Sequence, residues 1–518
     1  MSIISKPKIT VNKIPQTVAV ENEEQKVLFL GQMITTGTAT ASAGELNTSI
    51  GTASEEDGLF DAKSQIAGMI RAFREVNKKT RVDAIPLADN GATKATAVAT
   101  FTGTATEAGT LTVIVGSRKK HSYELAISNT DTATAVGDLL VSAITADGDA
   151  PFTAVNVTGT VTITASNAGT EANSFGIEYS GAVAGISLAL TGWTGGATNP
   201  VLTSVFDVIG TERYQHIVYP SGYGYDFMED FLDARWNVDN DILDGQAYTC
   251  TTDTIANLRV AGALLNSKSL TVIAEKTYDE TKYKGSQMME VDYQKAATFA
   301  GIVSLRLTKD ANLTRILTVK DASKDVFGGV ALASLPIHNT LLSNMSLNDT
   351  AKGWTSDEMA ELNELGFSVI GNNQARNAVI TATAKTMYKT DVAGNPDPIF
   401  GTLNAVQTSS NSAEYIFNNL KSDLAQIRLT EGATAQNRAI ADSGFIKNLL
   451  LNYYDVLSDP NGDYLLLRAG DVERKKFANN LNIEISLLEG KVTVTNKANI
   501  ISQLREFLMT TQYGYSAE

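Results

Sequence analysis

The chain has 518 residues, and 42 Lys and Arg against 57 Asp and Glu give it a formal net charge of −15. This length predicts roughly three to four domains, and a hydrophobic share of 43% is enough for several packed cores. The acidic balance argues against a general nucleic-acid binder, which needs a basic face. Because there is one cysteine, Cys250, an internal disulfide is excluded.

The first 25 residues carry no pattern of a secretion signal, because Pro7 and Pro15 interrupt them and no continuous apolar segment is present. The longest apolar stretches, at 27–30 and 330–337, are far shorter than the ~20 residues that span a bilayer. We therefore expect a protein that is made in a cytoplasm, is not exported by a cleaved signal and does not insert into a membrane.

Residues 1–25 are predicted to form an extended N-terminal arm. Ile9, Val11, Val18 and Val20 alternate with polar residues, which is the period of a strand. A segment this short cannot bury itself. It is either a disordered terminus or a strand that is donated to another subunit.

Residues 26–90 and 200–370 are predicted to form one split α/β domain. An apolar strand at 27–31, an amphipathic helix at 61–76 and a strand at 81–87 indicate a layered domain with parallel pairing. The same alternation resumes after Pro200. It predicts strands at 216–219, 269–274, 367–370 and 378–383, a helix at 225–238, a helix capped by Asp253, and a capping box at 355–358.

Residues 91–199 differ in composition and are predicted to form an inserted, Thr-rich β domain. Small or polar residues alternate with Val, Ile and Leu in this part of the chain, and glycines separate the runs. The predicted strands are 96–102, 110–115, 124–127, 154–157 and 160–165, with one helix at 132–145. Because this insertion has few chain connections to the rest, we expect it to face outward.

Residues 371–498 are predicted to form a C-terminal α+β domain, followed by a C-terminal arm at 499–518. Apolar residues at helical spacing predict a helix at 412–428, and two alternating runs at 483–488 and 491–495 predict a hairpin. Ile500, Leu504 and Phe507 would share one side of a helix in the arm.

The sequence shows no catalytic or metal-binding motif. His121, His216 and His338 lack the spacing of a metal site and are predicted to be surface or core-edge residues. No GxSxG elbow or phosphate-binding loop occurs, and the loop at 221–224 is interpreted as a strand-to-helix turn rather than an anion site. We therefore predict that the protein is not an enzyme and has no cofactor or metal.

Several segments, in conserved order along nearly the whole chain, resemble the contractile tail sheath proteins of myovirus-type bacteriophages. They are ENEEQKVLFLGQM (21–33), DAKSQIAGMIRAFREVN (61–77), TFTGTATEAGTLTVIVG (100–116), TVTITASNAGTEANSFGIEY (160–179), GWTGGATNP (192–200), WTSDEMAELNELGFSVIG (354–371) and NLNIEISLLEGKVTVTNKANIISQLREFL (480–508).

The resemblance implies an α/β and α+β multidomain protein whose central domain has a subtilisin-like but non-catalytic topology. It implies six-membered rings stacked helically around an inner tube, joined by strands that the terminal arms add to neighbouring subunits. Contraction of such a sheath drives the tube through a cell envelope. The implied partners are other copies of the chain, the tail tube, baseplate and tail terminator proteins, with no direct nucleic-acid contact. The implied location is the virion, after assembly in the host cytoplasm.

In this family the C-terminal domain lies next to the tube. Arg474, Lys475 and Lys476 form the densest basic cluster of that part of the chain, so they are the predicted tube-facing residues. Their alternative role is a solvated helix face, and Lys421 and Arg428 compete for the same contact. The predicted arm contacts between subunits are Ile9, Val11, Val18, Val20, Ile500, Leu504 and Phe507.

Two other functions remain open at this point. The low-charge, Thr-rich insertion also suits an extracellular surface-layer or adhesin-type structural protein, which the missing signal peptide disfavours. A hydrolase on a subtilisin-like scaffold is the third hypothesis, and the missing catalytic motifs count against it.

Overall fold

The structure, a computed structural model, describes residues 25–499 with internal gaps. The gaps are 36–38, 52–53, 90–92, 118–119, 236–243, 287, 308–325, 328–329, 332–339, 347–352, 373–376, 382–383, 425–427, 431–439, 460–465, 489–490 and 496–497. The predicted N-terminal arm up to residue 24, His338 and the predicted C-terminal arm from residue 500 lie outside the described residues.

The described chain is a mixed α/β protein with several sheets. Its helices are α1 Glu55–Phe60, α2 Gln65–Val76, α3 Ala133–Ala146, α4 Thr203–Ile209, α5 Asp226–Arg235, α6 Ile255–Leu264, α7 Asp292–Leu307, α8 Ser356–Glu364, α9 Leu403–Leu424, α10 Ser443–Leu457 and α11 Asp471–Asn480. Its strands are β1 Lys26–Gln32, β2 Arg81–Leu87, β3 Thr96–Gly103, β4 Gly109–Val115, β5 Ser122–Ile127, β6 Phe152–Val157, β7 Thr160–Ala165, β8 Ile177–Gly181, β9 Ile186–Thr194, β10 His216–Val218, β11 Gln246–Asp253, β12 Leu270–Glu280, β13 Tyr283–Ser286, β14 Val326–Phe327, β15 Val330–Ala331, β16 Thr340–Ser346, β17 Ser368–Asn372, β18 Asn377–Thr381, β19 Arg428–Leu429, β20 Ile440–Ala441, β21 Asn482–Ser486 and β22 Lys491–Thr495.

A parallel sheet forms the centre of the molecule, in the order β2-β1-β10-β11-β12-β17. Val27 in β1 is paired with Val82 on one side and with His216 on the other. The strands near the centre are almost wholly buried, which is typical of a parallel sheet covered on both faces. The predicted parallel pairing of the first two strands is confirmed.

Helix α2 covers one face of this sheet. The side chain of Ser64 accepts a hydrogen bond from the Ala67 amide, so the helix begins at Gln65 and not at residue 61 as the sequence predicted. Met69 packs so closely on Gly31 that a Cβ at this glycine would lie 2.9 Å from its sulfur. Helix α7, which the sequence pattern did not reveal, packs beside α2 and is buried almost all round.

The Thr-rich segment contains two antiparallel groups of strands. One is the four-stranded sheet β6-β7-β3-β9, and the other consists of β5, β4 and β8. All five strands and the helix predicted in this segment are present, whereas β8 and β9 were missed.

Strand β12 connects the parallel sheet with the Thr-rich segment. Its first half pairs with β11 and β17 in the parallel sheet, and its second half pairs with the antiparallel strand β13. Strand β13 in turn pairs with β8. One hydrophobic cluster therefore contains residues of both parts, including Phe29, Phe73, Val113 and Trp193.

Helix ends in the second half of the α/β part depend on side-chain caps. The side chain of Thr254 accepts from the Asn257 amide, so Thr254 caps α6, and the predicted cap Asp253 was wrong by one residue. At α8 the predicted capping box is confirmed, since Thr355 and Glu358 each accept from the other's backbone amide.

The C-terminal part has smaller cores. Helix α9 begins nine residues before the predicted start, and Arg428, predicted to lie on that helix, belongs to β19 instead. The predicted hairpin is confirmed as the antiparallel pair β21–β22. Around it, α9, α10 and α11 enclose two small clusters, of which one buries Tyr454 and Phe477.

None of the helices in the described part of the chain is both long and apolar enough to cross a membrane. The domain boundaries at 25, 90, 199, 370 and 498 stay predictions.

Candidate functional site

The carboxyl edge of the parallel sheet is the place where an α/β protein would bind a small molecule. From β1 the chain passes to β2 on one side, whereas β10, β11 and β12 follow on the other side. The strand order therefore reverses between β1 and β10, and ligands of open α/β sheets bind in the crevice at such a point.

Polar side chains of the Thr-rich segment fill this crevice. Asn167 accepts from the Gln65 amide at 2.7 Å and donates to the Met33 carbonyl at 3.1 Å. It also donates to Asp89 at 3.1 Å, and the same carboxylate accepts from Gln32 at 2.6 Å. The ends of β1 and β2 are thus hydrogen-bonded to the chain's own loop.

A side chain of the protein itself also fills the loop at 221–224. The Gly222 amide donates to the carboxyl group of Glu171, and Asn199 donates to the Gly222 carbonyl at 2.5 Å. Burial, and then the nearby Asp292, raise the pKa of Glu171 to about 8, so this group is mostly protonated at neutral pH. The turn therefore holds an internal, largely neutral carboxyl group.

The described residues of this crevice line a small cavity. A cavity of about 20 Å³ lies between Gln65, Asn167, Glu171 and Tyr293. This is room for one water molecule and not for a substrate.

A buried ionic cluster lies beside the crevice, where α7 begins. Lys295 is fully buried and contacts Asp292 at 2.9 Å and Glu275. Asp292 also accepts from the amide and hydroxyl of Thr252. Although burial opposes the charge, Asp292 and Glu275 raise the pKa of Lys295, so the amine stays protonated. It is not a candidate for a catalytic base, which needs a lowered pKa.

Cys250 and His216 are two further reactive side chains in the interior of the described chain. Burial raises the pKa of the Cys250 thiol, which keeps it protonated. His216 lies in β10 and is fully buried, which is deeper than the predicted core edge. Its nitrogens contact Tyr248 at 3.1 Å and Gln25 at 2.9 Å, and burial lowers its pKa to about 3, so the ring is neutral.

His121, which was predicted to lie at the surface or the core edge, is also buried, with 3% of its surface exposed, so the surface alternative is wrong for this residue. Its Nδ1 lies 2.8 Å from the Asp147 carboxylate. Neither of the two described histidines has a serine or thiol as its hydrogen-bond partner.

The predicted tube-facing residues lie on α11. Arg474 makes a bidentate contact with Asp455 at 2.6 and 2.9 Å, and Lys476 contacts Glu473 at 2.8 Å. Lys475 is exposed. Their assignment stays a prediction, as does that of Lys421 in α9. The predicted arm residues Ile9, Val11, Val18, Val20, Ile500, Leu504 and Phe507 lie outside the described residues.

The hairpin β21–β22 follows α11 in the sequence and is largely exposed. Ile483, Ile485, Val492 and Val494 are partly buried and pack on the cluster formed with α10. In the described part of the chain this sheet has two strands, so both of its long edges keep backbone groups that no neighbouring strand pairs with.

Comparison with known proteins gives one sequence relative of nearly full length. The chain is 25% identical over 501 residues to the Mu-like prophage FluMu tail sheath protein of Haemophilus influenzae, which covers 94% of this chain and 92% of that protein. No protein-family model matches the sequence.

Solved structures with a similar chain trace have low identity. The sheath tail protein of Desulfitobacterium hafniense is 10% identical, with a TM-score of 0.46 and 97% of each chain covered. The sheath tail protein of Listeria innocua is 12% identical, with a TM-score of 0.45 and 94% of each chain covered. A chain of the anti-feeding prophage baseplate is 11% identical, with a TM-score of 0.44, and 99% of this chain and 100% of that one are covered. The resemblance to phage tail sheath proteins that the sequence motifs indicated is confirmed by the Haemophilus relative, which aligns with nearly the whole chain.

Proposed function

We propose that this chain is a structural subunit of a contractile bacteriophage tail sheath. The observation that carries the proposal is the similarity to a prophage tail sheath protein over 94% of the chain. The closed crevice at the carboxyl edge of the sheet supports it, because a structural subunit needs no room for a substrate there. The subtilisin-like topology of the central sheet and the absence of enzymatic activity are parts of the same proposal.

Subunits join by strand exchange through their arms. The alternating residues of 9–20 suit a strand that adds to an open sheet edge, and β21–β22 offers two such edges. The face of this hairpin is already packed on α10, so an incoming strand needs only backbone hydrogen bonds and flanking side chains. The C-terminal arm, with Ile500, Leu504 and Phe507, takes part in the same contacts.

Strand exchange between subunits accounts for the formation of a helical polymer. A donated arm and a receiving hairpin are different surfaces, so the contact is heterologous and repeats from subunit to subunit. Six-membered rings that stack around the tail tube follow from such contacts. Since the sequence has no nucleotide-binding motif, the energy of contraction is stored in a metastable lattice that the arms keep connected.

The C-terminal part faces the tube, and the Thr-rich insertion faces outward. Within α11, Arg474 and Lys476 are partly neutralised by Asp455 and Glu473, which leaves Lys475 as the strongest candidate for a contact with an acidic tube. Baseplate and tail terminator proteins would contact the ends of the sheath. The protein would act in the virion after assembly in the host cytoplasm.

Negative-stain electron microscopy of the purified chain tests this proposal. The full chain at high concentration should form rings or tubes, and a variant without residues 1–24 should stay monomeric. Gln25 is kept in this variant because it contacts His216 in the sheet. Circular dichroism should show that the shortened variant is folded.

A peptide of residues 9–20 provides a second test without a change to the chain. Added in excess, it should occupy the receiving edge and block polymerisation, whereas a scrambled peptide of the same composition should not. The proposal fails if the intact chain stays monomeric at all concentrations, or if the shortened variant polymerises equally well.

A further inference from the structure

We propose that His121, Asp147 and Asp149 bind a divalent transition-metal ion, with Zn²⁺ as the best-suited ion, which connects the loop before β5 to the loop after α3. This site lies in the Thr-rich segment and does not depend on the proposed role in a sheath.

The three side chains are already close together. One potential ligand atom from each of them lies within 4.8 Å of the others. Tetrahedral Zn²⁺, with ligands about 2.0–2.2 Å from the metal, requires ligand atoms about 3.4 Å apart. Small rotations of two aspartate side chains at the end of a helix are enough to reach this spacing.

The ring of His121 is held in place before any ion binds. It is buried, and its edge packs against Phe152 with ring centroids 5.6 Å apart. The carboxylate of Asp147 is held by the His121 ring and by the hydroxyl group of Tyr123, both at 2.8 Å. A tyrosine that donates to a ligating carboxylate is the kind of supporting contact that orients metal ligands.

The charges around the site favour a cation. Asp147 and Asp149 are within hydrogen-bonding reach of each other. Two adjacent carboxylates repel each other unless a proton or a cation lies between them.

Arg71 lies beside the site, but its charge is shared between Asp57 and Asp149. It pairs with Asp57 and donates to the Ala62 carbonyl at 2.6 Å, and its Nε is 3.8 Å from Asp149, beyond a hydrogen bond. Asp57, Asp147 and Asp149 carry three negative charges when ionised, against one positive charge on Arg71, and a divalent ion would neutralise the remaining two.

The ligand set determines the kind of ion. One imidazole nitrogen with two carboxylate oxygens suits Zn²⁺ or a similar first-row ion, whereas Mg²⁺ and Ca²⁺ prefer oxygen ligands alone. The Asp149 side chain is 42% exposed, so an ion can enter from solvent and retain a water as fourth ligand. Because binding requires the folded loops, the ion stabilises the folded state.

Metal binding by the purified, tag-free full chain tests the site. After treatment with a chelator, the wild type should bind one equivalent of Zn²⁺ in calorimetry, show the visible absorption of tetrahedral Co²⁺, and unfold at a higher temperature with Zn²⁺. Asp149→Asn should weaken binding roughly 10-fold or more. This variant keeps the size of an exposed side chain, so it should remain folded, which far-UV circular dichroism checks.

Glu124→Gln is the matched control, because it removes the same charge from an exposed position of β5. It should bind Zn²⁺ as the wild type does. Absence of Zn²⁺ binding by the wild type at about 100 µM, a concentration well above the dissociation constants of structural zinc sites, would overturn the proposal. The proposal would also be overturned if Asp149→Asn bound Zn²⁺ as tightly as the wild type does.

Discussion

The carboxyl edge of the parallel sheet and the C-terminal part from α9 to β22 use charged side chains in opposite ways. Both contain a lysine three residues after an acidic partner on a helix, Lys295 with Asp292 and Lys476 with Glu473. The Lys295 side chain has no exposed surface, whereas that of Lys476 is 57% exposed. The same local pair is thus part of the interior in one region and of a solvated face in the other.

The hydrophobic cores of the two regions also differ, and the more extensive ones lie around the parallel sheet. The clusters around the parallel sheet join the sheet, α2, α7 and the Thr-rich segment into continuous packing. The two described clusters of the C-terminal part contain five and four buried residues. The first region is thus held by continuous packing, whereas the second is held by smaller clusters.

Replacement of Lys295 gives the largest effect that this comparison predicts. Lys295→Met leaves Asp292 and Glu275 buried without their cation, and the loss of one partner of a buried pair costs about 3–5 kcal/mol. We expect this decrease in the free energy of unfolding, measured by urea denaturation.

Lys476→Met is the matched control, because it removes a lysine from the same helical spacing on an exposed face. Its effect should be close to the error of the measurement. Equal effects of the two substitutions would contradict the distinction between the two regions.

Truncation of Phe477 tests whether the C-terminal part can unfold separately. Phe477 is buried and stacks on Tyr454 with centroids 4.6 Å apart, so Phe477→Ala should cost about 3 kcal/mol within that cluster. Hydrogen exchange should then increase in α10, α11 and β21–β22, while amides of β1 and β11 keep their protection. A uniform increase across all strands would show that the two regions unfold as one unit.

The regular elements could be predicted because their patterns are local. The apolar run of β1, the capping box of α8 and the alternation in β21 and β22 follow from residues that are adjacent in sequence. Helix α7 was missed because it is buried nearly all round, and such a helix shows no polar face that would reveal its period.

The polar network of the crevice could not be predicted, since its partners are far apart in the chain. Asn167 and Gln65 are separated by 102 residues, and Glu171 and Gly222 by 51. The loop at 221–224 was interpreted as a strand-to-helix turn rather than an anion site, and nothing local shows that Glu171 contacts it. The burial of His121 could not be predicted either, because it depends on Phe152 and Asp147.

The raised pKa of Glu171 predicts that the stability of the region around the parallel sheet depends on pH. Its pKa is raised from the ordinary 4.5 to about 8 in the folded state, so between these values the folded chain binds more protons than the unfolded chain. Stability is therefore lost as the pH rises through this window, and the loss is complete above about pH 8. From pH 6 to pH 8 this group alone should cost roughly 2 kcal/mol.

Glu171→Gln isolates this contribution, because glutamine has the shape of the protonated acid and can still accept from the Gly222 amide. Urea denaturation at pH 6 and pH 8 should show the wild type losing stability relative to the variant. Parallel curves for the two proteins would mean that Glu171 titrates normally and that the crevice is more hydrated than its packing indicates.

The smallest effect concerns the ion pair that joins α10 to α11. Arg474 contacts Asp455 with good bidentate geometry, but both side chains are more than 40% exposed. Exposed pairs contribute little, so Arg474→Ala should lower stability by about 0.5 kcal/mol or less, and 0.5 M NaCl should remove most of the difference. A cost of several kcal/mol that salt does not change would show that α11 is fixed as firmly as α7.

If Arg474→Ala lowers stability by only this small amount, an assay of assembly would show what the charge of Arg474 does. A variant that folds like the wild type but assembles less well around tail tubes would assign Arg474 to a contact between proteins. Stability and assembly would then be separated in the C-terminal part, whereas Lys295→Met impairs both through folding. Such a separation would support the proposed role of the C-terminal part in assembly.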